Sequence, residues 1–374
     1  MRILFLEAFF GGSHRAFAEG LQRHTRHTIE LVTLPDRFWK WRMRGAALYL
    51  APRLPPLTRF DLIVATNLVS LSDLMALLAP GRLPAVVYFH ENQLTYPVAS
   101  GDRRDVHFGF TDITTALAAD EIWFNSHSHR DAFLAALPAF VRQMPDARPA
   151  WITAAIEDRA SVLYPGCEFP PPAPPQPSAA TPEPPPLIIW NHRWEFDKNP
   201  EAFFETLYTL ADRGRAFEVA VLGECFQDQP QCFLAARERL GKRIVHFGFA
   251  PAKDDYHRWL QRGHVVVSTA RQENFGYAVV EAVRLGCLPL LPRRLSYPEI
   301  IPGRFHDLCL YADQADLTAR LAHFLDHRHA FRKETAALQA AMERYAWKRR
   351  IPEFDARLEA AAAAPPRGPL ASLR

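Results

Sequence analysis

Cysteine is scarce in this 374-residue sequence, and its five cysteines stand far apart. They form no Cys-x-x-Cys pair and no cysteine–histidine spacing typical of zinc, which excludes a disulfide framework and a zinc-held fold. Because a reducing compartment suits such a sequence, we expect the protein in the cytoplasm. Long apolar runs are also missing: nowhere do about 18 uncharged apolar residues follow one another, and we expect no membrane span.

Other absences narrow the function further. No Gly-x-Ser-x-Gly motif occurs, so the sequence does not predict a nucleophilic hydrolase. Glu7 interrupts the apolar N-terminus and no small-residue cleavage site follows, which predicts a first β-strand rather than a signal peptide. An excess of one charge is missing, since 44 basic residues face 41 acidic ones. Overall charge therefore does not mark a nucleic-acid-binding protein, although a local basic patch would be enough.

What is present is a regular alternation of short apolar segments with segments of helical period. The predicted strands are 2–10, 28–35, 61–67, 85–92, 121–126, 187–194, 218–224, 243–249, 264–270 and 287–292. The predicted helices are 70–79, 110–120, 200–213, 230–240, 252–262, 275–286 and the stretch 314–362. Apolar strands separated by helices indicate an α/β protein with parallel sheets covered on both faces.

The alternation stops once and then restarts, which predicts two doubly wound, Rossmann-like domains. The first covers residues 1–168, a Pro-rich linker follows at 169–186, and the second domain covers 187–340. Residues 341–374 are predicted to form a C-terminal helix and tail. Two such domains face a cleft between the carboxyl ends of their sheets, where open α/β sheets bind ligands.

The strongest local signal is the pair of carboxylates Glu273 and Glu281, separated by seven residues. A helix is predicted to open at Gly276, and backbone N–H groups at a helix start favour anionic or hydroxyl-rich ligands. Glu273 could then accept hydrogen bonds from sugar hydroxyls, and Glu281 could reach a ribose. The same spacing also fits a glutamate that complements the helix dipole and a second that is simply solvated.

Two cations, Arg193 and Lys198, follow the first predicted strand of the second domain. A guanidinium and an ammonium at a strand end could hold a diphosphate and stabilise it as a leaving group. Pairing of Arg193 with Glu195 or Asp197 is the structural alternative. Because no Asp-x-Asp motif for Mg²⁺ or Mn²⁺ occurs, the sequence favours a metal-independent mechanism.

In the first domain, Gly11 and Gly12 separate the opening strand from a helix and could let a ligand approach the backbone. A plain strand-to-helix turn explains them equally well. His90 and Gln93 follow the fourth strand and Asn125 follows the fifth, so these polar residues could line the cleft. For His90, a histidine satisfied within the core is the alternative.

Residues 38–44 combine Phe38, Trp39 and Trp41 with cations that include Arg42 and Arg44. Such a mixture suits stacking on bases and neutralising phosphates. It is also typical of an amphipathic helix that packs Trp inward and leaves Arg outside.

Longer strings extend these signals along both domains, among them LEAFFGGSH, YFHENQLTYPV, NHRWEFDKNPEAFF and STARQENFGYAVVEAV. The sequence resembles the retaining GT-B glycosyltransferases of the glycosyltransferase-4 type over most of its length. More specifically, it resembles the tRNA-queuosine α-mannosyltransferases. The resemblance implies transfer of mannose from GDP-mannose, with retention, to queuosine in the anticodon of a tRNA of the aspartate type. With no Asp-x-Asp motif, we expect neither a metal nor another cofactor.

The resemblance also implies roles for individual residues. The expected catalytic residues are Arg193, Lys198, Glu273 and His90. The expected donor-binding residues are Gly11, Gly12, Gly223, Glu224, Phe249, Asn274, Phe275, Gly276 and Glu281. The expected acceptor-binding residues are His14, Arg15, Trp39, Trp41, Arg42, Arg44, Gln93 and Asn125. The expected partners are a queuosine-containing tRNA and a nucleotide sugar.

Two alternatives remain open. A GT-B enzyme could instead use a GDP- or UDP-sugar to build a polysaccharide or glycolipid, which a strongly amphipathic basic helix would favour. A catalytically silent RNA-binding protein could also keep this fold, because fold alone does not determine function. Arg193, Lys198, Glu273 and Glu281 are all present, which speaks against the silent protein.

Overall fold

The computed structural model describes residues 1–78, 83–99, 101–171, 184–225 and 229–365. The chain forms two compact units. Residues 1–168 and 345–374 belong to the first unit, and residues 169–344 to the second. The second domain was predicted to end at residue 340, with residues 341–374 as a separate C-terminal helix and tail. In the structure, the chain returns to the first unit at Tyr345. Most of the predicted linker, residues 172–183, lies outside the described residues.

The first unit contains six strands and seven helices within the described residues. Its strands are β1 (Arg2–Phe10), β2 (Thr28–Pro35), β3 (Leu62–Thr66), β4 (Ala85–Phe89), β5 (Glu121–Phe124) and β6 (Ala160–Val162). Its helices are α1 (Gly12–His24), α2 (Trp39–Leu50), α3 (Leu71–Leu77), α4 (Val106–Ala118), α5 (His127–Arg142), α6 (Trp151–Glu157) and, after the second unit, α15 (Trp347–Ala363).

The strands of the first unit pair in parallel, in the order β2-β1-β3-β4-β5-β6. Every residue of β3 and β4 is buried, as expected for a parallel sheet with helices on both faces. Alternate residues of β1 enter opposite cores: Leu4 and Leu6 pack into one, and Ile3 and Phe5 into the other. Phe354 of α15 lies in the second core, so the C-terminal helix completes this unit.

The second unit contains six strands and eight helices within the described residues. Its strands are β7 (Leu187–Asn191), β8 (Glu218–Leu222), β9 (Ile244–Gly248), β10 (Val265–Val267), β11 (Leu288–Pro292) and β12 (Leu310–Tyr311). Its helices are α7 (Pro200–Asp212), α8 (Gln231–Leu240), α9 (Lys253–Arg262), α10 (Tyr277–Arg284), α11 (Tyr297–Ile300), α12 (His306–Cys309), α13 (Gln314–His327) and α14 (Arg332–Ala341).

The strands of the second unit are also parallel, in the order β12-β11-β10-β7-β8-β9. The prediction of two doubly wound parallel sheets is therefore confirmed. Several predicted strands end earlier than expected, because their polar last residues have left the sheet: β4 ends at Phe89 and β7 at Asn191. The short strands β6 and β12 were not predicted. Among the described residues, no helix is both long and apolar enough to cross a membrane.

Candidate active site

The strongest candidate site lies in the second unit, where the sheet changes direction. Strands β7 and β10 are neighbours, and the chain moves from them toward opposite edges of the sheet. Ligands of open α/β sheets bind at such a point, beyond the carboxyl ends of the strands. Residues 192–199 follow β7 and residues 268–276 follow β10. The fold thus brings the predicted residues Arg193, Lys198 and Glu273 to one end of the sheet.

Hydrogen bonds tie these two loops together. The backbone N–H of Arg271 donates to the carbonyl of Asp197 at 2.7 Å. The hydroxyl of Thr269 donates to the carbonyl of Lys198 at 3.0 Å. Because buried backbone groups need partners, and each loop supplies them to the other, the backbone that carries Lys198 and Glu273 is held in place by internal bonds.

Lys198 is a buried cation among acceptors. Its Nζ donates to the carbonyl of Gln272 at 2.7 Å and lies 3.3 Å from Asp197 Oδ2 and 3.4 Å from Glu273 Oε2. Burial lowers the pKa of Lys198, but the carboxylates of Glu273 and Asp197 outweigh it, and the pKa lies above its ordinary value. Lys198 therefore stays an ammonium and can bind an anion at this edge.

Arg193 is the second cation of the site and is more accessible. Its side chain is 41% exposed and its Nη1 lies 3.4 Å from Glu195 Oε1, which is the pairing named as the structural alternative. Burial, followed by the charges of Lys198 and Arg193, lowers the pKa of His192 to about 3. The neighbouring imidazole is thus neutral at physiological pH, and the positive charge of the loop rests on Arg193 and Lys198. Two nearby cations favour an anion with two charged groups, such as a diphosphate.

The segment from Asn274 to Gly276 leads into helix α10. Gly276 has a φ of +97°, in the left-handed region that favours glycine. Phe275 is buried, and its carbonyl accepts a hydrogen bond from Ser296 Oγ at 3.0 Å. The Oδ1 of Asn274 accepts a bond from Gln272 Nε2 at 2.8 Å. These contacts hold the N-terminus of α10 beside Glu273, and a helix N-terminus favours an anionic or hydroxyl-rich ligand.

Glu281 lies two turns into α10, and two side chains of α9 hold its carboxylate. Its Oε1 lies 3.2 Å from Lys253 Nζ, and its Oε2 accepts a bond from the hydroxyl of Tyr256 at 3.2 Å. The same hydroxyl accepts a bond from Asn191 Nδ2 at 2.9 Å. Burial, and then the charge of Glu281, raise the pKa of Tyr256 well above its ordinary value. Tyr256 therefore keeps its proton and donates a hydrogen bond to Glu281.

The residues predicted to border a base lie at the ends of β8 and β9. Gly223 has a φ of +141°, and a Cβ there would collide with the carbonyl oxygen of His192. Only glycine lets the chain pass the β7 loop so closely. The carbonyl of Glu224 accepts a bond from the backbone of Trp194 at 2.9 Å, so Gly223 and Glu224 lie beside the cationic loop. Phe249 follows β9, and 56% of its surface is exposed.

The first unit holds a separate cluster of Glu7, His14 and His90, all three buried. The imidazole of His14 stacks on that of His90 with the ring centres 4.0 Å apart and the planes at 29°. His14 Nδ1 lies 3.0 Å from Glu7 Oε2. Burial, and then the neighbouring histidines His14 and His129, lower the pKa of His90 well below its ordinary value. His90 is therefore a neutral imidazole at physiological pH.

Side chains of the first unit hold the loop that carries His90 by hydrogen bonds to its backbone. The backbone N–H of His90 donates to Asn67 Oδ1 at 3.2 Å, and that of Gln93 donates to Asp112 Oδ2 at 2.6 Å. Asn125 Nδ2 donates to the carbonyl of His90 at 2.9 Å, and Asn125 Oδ1 accepts from His129 Nδ1 at 2.8 Å. Both polar atoms of the Asn125 amide are thus engaged inside the unit. These contacts support the loop, and acceptor binding by Asn125 and Gln93 stays a prediction.

The glycine turn after β1 is tight on one side and open on the other. A Cβ at Gly11 would collide with the carboxyl group of Asp36, whereas one at Gly12 would meet nothing within 4 Å. Arg15, one turn into α1, donates its Nε to Glu19 at 2.7 Å and has a largely exposed side chain. Gly12 and Arg15 are therefore accessible from solvent.

The aromatic and basic segment forms helix α2, which divides its predicted residues between two faces. Trp39 packs against Phe108 with ring centres 5.2 Å apart and joins the edge of the core. Arg44 donates to Thr111 Oγ1 at 2.8 Å. Trp41, by contrast, is 79% exposed. The inward packing predicted for Trp is correct for Trp39 only, which stays partly exposed, and a contact between Trp39 and an acceptor stays a prediction.

A group of exposed side chains surrounds Trp41, which we call the α2 surface. It consists of Arg37, Phe38, Lys40, Trp41, Arg44, Leu48 and Tyr49. Arg42 of the predicted set is only partly exposed. Large exposed apolar groups interleaved with cations can stack on bases and neutralise phosphates.

Among the described residues, Glu7, His14 and His90 are the one group whose side chains could together hold a metal ion. Their ligand atoms lie within 4.8 Å of one another. The lone pair of an imidazole nitrogen lies in the ring plane, however, and two stacked rings do not direct their lone pairs at a common point. Tetrahedral zinc needs convergent ligands, so this geometry fits a metal ion poorly.

Three contributors to these sites were not predicted from the sequence. Tyr256 and Lys253 lie in the string KDDY and hold Glu281. Glu7 looked like an interruption of an apolar strand, and its contact with His14 depends on folding. A charged residue inside a strand that is otherwise fully apolar is the signal that could have revealed it.

Comparisons with known proteins agree over most of the chain. Residues 2–167 match the N-terminal domain of tRNA-queuosine alpha-mannosyltransferases, and residues 176–346 match the group 1 glycosyl transferases. The chain is 36% identical over 377 aligned residues to the tRNA-queuosine alpha-mannosyltransferase of Drosophila melanogaster, covering 94% of this chain and 95% of the relative.

Solved structures extend the agreement to the fold. The sucrose-phosphate synthase of Thermosynechococcus elongatus superposes with a TM-score of 0.71 at 13% identity, covering 98% of this chain and all of that one. Anabaena HepE, solved with UDP and glucose, superposes with a TM-score of 0.68 at 15% identity, covering 96% and 100%. The predicted GT-B fold is thereby confirmed. With the near full-length match to the fly protein, these findings establish that the chain belongs to the tRNA-queuosine alpha-mannosyltransferase family of glycosyltransferases.

Proposed function

We propose that this protein transfers mannose from GDP-mannose, with retention of configuration, to queuosine in the anticodon of a tRNA. The observation that carries the proposal is the cluster of Arg193, Lys198, Glu273 and Glu281 around one end of the second sheet, in a chain of this family. Its two cations suit the diphosphate of a nucleoside diphosphate sugar, and its two carboxylates suit the hydroxyls of the ribose and the sugar. The name of the fly relative supports mannose as the sugar and queuosine as the acceptor.

The donor binds by matched charge and hydrogen bonding. Lys198 and Arg193 hold the diphosphate and stabilise it as it leaves. Glu281, oriented by Tyr256 and Lys253, accepts hydrogen bonds from the ribose hydroxyls. Glu273 accepts bonds from hydroxyls of the sugar, and its carboxylate also contacts Lys198 at 3.4 Å.

In the transfer step, the acceptor oxygen attacks the anomeric carbon of the sugar. A new carbon–oxygen bond forms on the face from which the diphosphate departs, and the bond to the diphosphate breaks. The proton of the attacking hydroxyl passes to the leaving phosphate oxygen. Lys198 and Arg193 meet the charge that develops on the diphosphate, and no other protein group is needed as a base.

The acceptor binds to the first unit. His90 is neutral, so it can exchange hydrogen bonds with sugar or acceptor hydroxyls without attracting a counterion. The α2 surface offers Trp41 for stacking on a base, with Lys40 and Arg37 for phosphates. This combination favours a nucleic acid over an uncharged polysaccharide.

Nucleoside mass spectrometry tests the proposal. Queuosine-containing tRNA is incubated with the protein and GDP-mannose, GDP-glucose or UDP-glucose in parallel, and queuosine is examined for an added hexose. The proposal predicts an adduct with GDP-mannose at unchanged rate in EDTA. A preference for a UDP-sugar, or activity that EDTA removes and Mn²⁺ restores, would contradict the donor and the metal-free mechanism.

One observation favours a second candidate, a glycolipid acceptor at a membrane surface. Trp41 and Leu48 of α2 are 79% and 67% exposed, and exposed apolar groups beside cations also bind anionic lipids. Sedimentation with vesicles of anionic lipid separates the two candidates. Retention on vesicles, together with transfer to a lipid extract and none to tRNA, would select the glycolipid enzyme.

A further inference from the structure

Glu7 is a fully buried carboxylate that the transfer step proposed above does not use. It lies near the end of β1, which has neighbouring strands on both sides. An ionised carboxylate in such surroundings is costly unless hydrogen bonds compensate for the lost water. The function of Glu7 is therefore inferred from its two hydrogen-bond partners.

Each carboxylate oxygen of Glu7 has one partner. Oε1 accepts the backbone N–H of Phe9 at 2.8 Å, and Oε2 lies 3.0 Å from His14 Nδ1. Because a carboxylate only accepts hydrogen bonds, His14 must carry a proton on Nδ1. In the Nδ1–H tautomer of a neutral imidazole, Nε2 bears a lone pair.

The ring of His14 is held in its plane as well as in its tautomer. It stacks on His90, and the ring of Phe9 meets it edge to face with centres 6.0 Å apart. Phe17 and Tyr88 in turn contact the edge of His90, with ring centres 5.1 and 4.9 Å apart. The imidazole of His14 therefore has little room to rotate, and a small part of it, 9% of the side chain, remains exposed.

We propose that Glu7 is a positioning residue: it fixes His14 as the Nδ1–H tautomer, so that His14 Nε2 accepts a hydrogen bond from the acceptor hydroxyl that does not react. This rests on the proposed function, in which the acceptor is the diol of queuosine. The proton of the reacting hydroxyl still passes to the leaving phosphate, so His14 gains no proton in the reaction. A lone pair at this place selects an acceptor with a second hydroxyl and disfavours one without it.

Glu7→Gln is the sharpest variant. The backbone N–H of Phe9 requires an oxygen at the Oε1 position, so the amide nitrogen of the introduced glutamine must face His14. That nitrogen only donates, which forces His14 Nδ1 to accept and moves its proton to Nε2. The volume of the side chain hardly changes, and the hydrogen bond to Phe9 remains.

Nitrogen NMR of protein with ¹⁵N-labelled histidine reads the tautomer without any substrate. The His14 signal is assigned by its absence from His14→Gln, and spectra are taken at pH 8. We expect Nδ1 of His14 to be protonated in the wild type and Nε2 to be protonated in Glu7→Gln. A wild-type His14 protonated on Nε2, alone or together with Nδ1, would overturn the proposal, whether or not the protein modifies tRNA.

Kinetics then test the consequence. Glu7→Gln should lower kcat/KM for the tRNA by about 100-fold, because a misplaced acceptor reacts poorly, and leave the KM for GDP-mannose unchanged. Glu7→Asp, which can still accept from Nδ1, should recover part of the loss, and the exposed Glu157→Gln should behave as wild type. Normal tRNA kinetics in Glu7→Gln, or an equal loss of donor affinity, would contradict the role. A wild type that leaves queuosine unmodified would refute the proposed function instead.

Discussion

The two units differ in the polar groups of their candidate sites: the second unit holds paired charges, and the first unit holds buried histidines. The second unit keeps its site charged, and each charge has a partner of opposite sign: Lys198 with Glu273, Lys253 with Glu281, and Arg193 with Glu195. The first unit buries His14, His90 and His129, of which His90 and His129 are neutral. The same sheet architecture can therefore carry charged groups suited to a diphosphate in one unit and neutral groups suited to hydroxyls in the other.

The largest effect is expected at Lys198, because the charged site depends on it. Lys198→Ala removes a cation from the leaving diphosphate and should lower kcat by about 1000-fold. It also leaves the buried Asp197 without this ammonium, so the melting temperature should fall. Rates are measured by nucleoside mass spectrometry at a temperature where circular dichroism shows both proteins folded. The exposed Lys333→Ala on α14 is the control, and a Lys198→Ala enzyme of normal rate would remove the basis of the donor site.

The next effect concerns the orientation of Glu281. Glu281→Gln should weaken GDP-mannose binding by about 100-fold, because it removes the charged hydrogen bonds to the ribose. Tyr256→Phe should weaken binding by about 10-fold, because it removes only the hydrogen bond that orients Glu281. Isothermal titration calorimetry measures both. If Tyr256→Phe bound the donor as tightly as wild type, the contacts between α9 and α10 would be structural only.

The α2 surface should contribute less, and only to the acceptor. Loss of one stacking side chain costs about 1–3 kcal/mol, so Trp41→Ala should raise the KM for tRNA about 10-fold and leave the KM for GDP-mannose unchanged. Leu77→Ala, an exposed apolar residue on α3 of the same unit, is the matched control. An unchanged tRNA KM would place the RNA elsewhere on the protein.

Acid should destabilise the neutral histidine region with a defined sign. Burial lowers the pKa of His129 to about 3, whereas an unfolded histidine titrates near 6.5. Between these values the unfolded state binds more protons, so the free energy of unfolding falls as the pH falls from about 6.5, by up to about 1.4 kcal/mol per pH unit for this group. Denaturant unfolding at several pH values should show a smaller slope for His129→Gln, and an equal slope would contradict the assignment.

The sequence predicted the second unit better than the first for a physical reason. Arg193, Lys198 and Glu273 follow apolar strands directly, so the strand ends alone placed them at one sheet edge. The role of Asn125 depends on His129 one helical turn away and on the distant His90 carbonyl, and no local pattern records that. The sequence also did not show which tryptophan of α2 packs inward, because that depends on the contact of Trp39 with the distant Phe108.

Long-range packing explains the remaining differences. Helix α15 was predicted as a helix, but its return to the first unit depends on where Trp347 and Phe354 find a core. Strands β6 and β12 have three and two residues, too few for an alternation to be visible. The role of Glu7 could not be predicted, because its contact with His14 of α1 forms only when the strand and the helix pack together.

The most direct test of the account is transfer from GDP-mannose labelled with ¹³C in the sugar. Two tRNAs of the same sequence are compared, one with queuosine and one with guanosine at the wobble position. We expect labelled hexose on queuosine alone, with no label on the guanosine tRNA. Label on neither tRNA, or in a lipid extract instead, would contradict it.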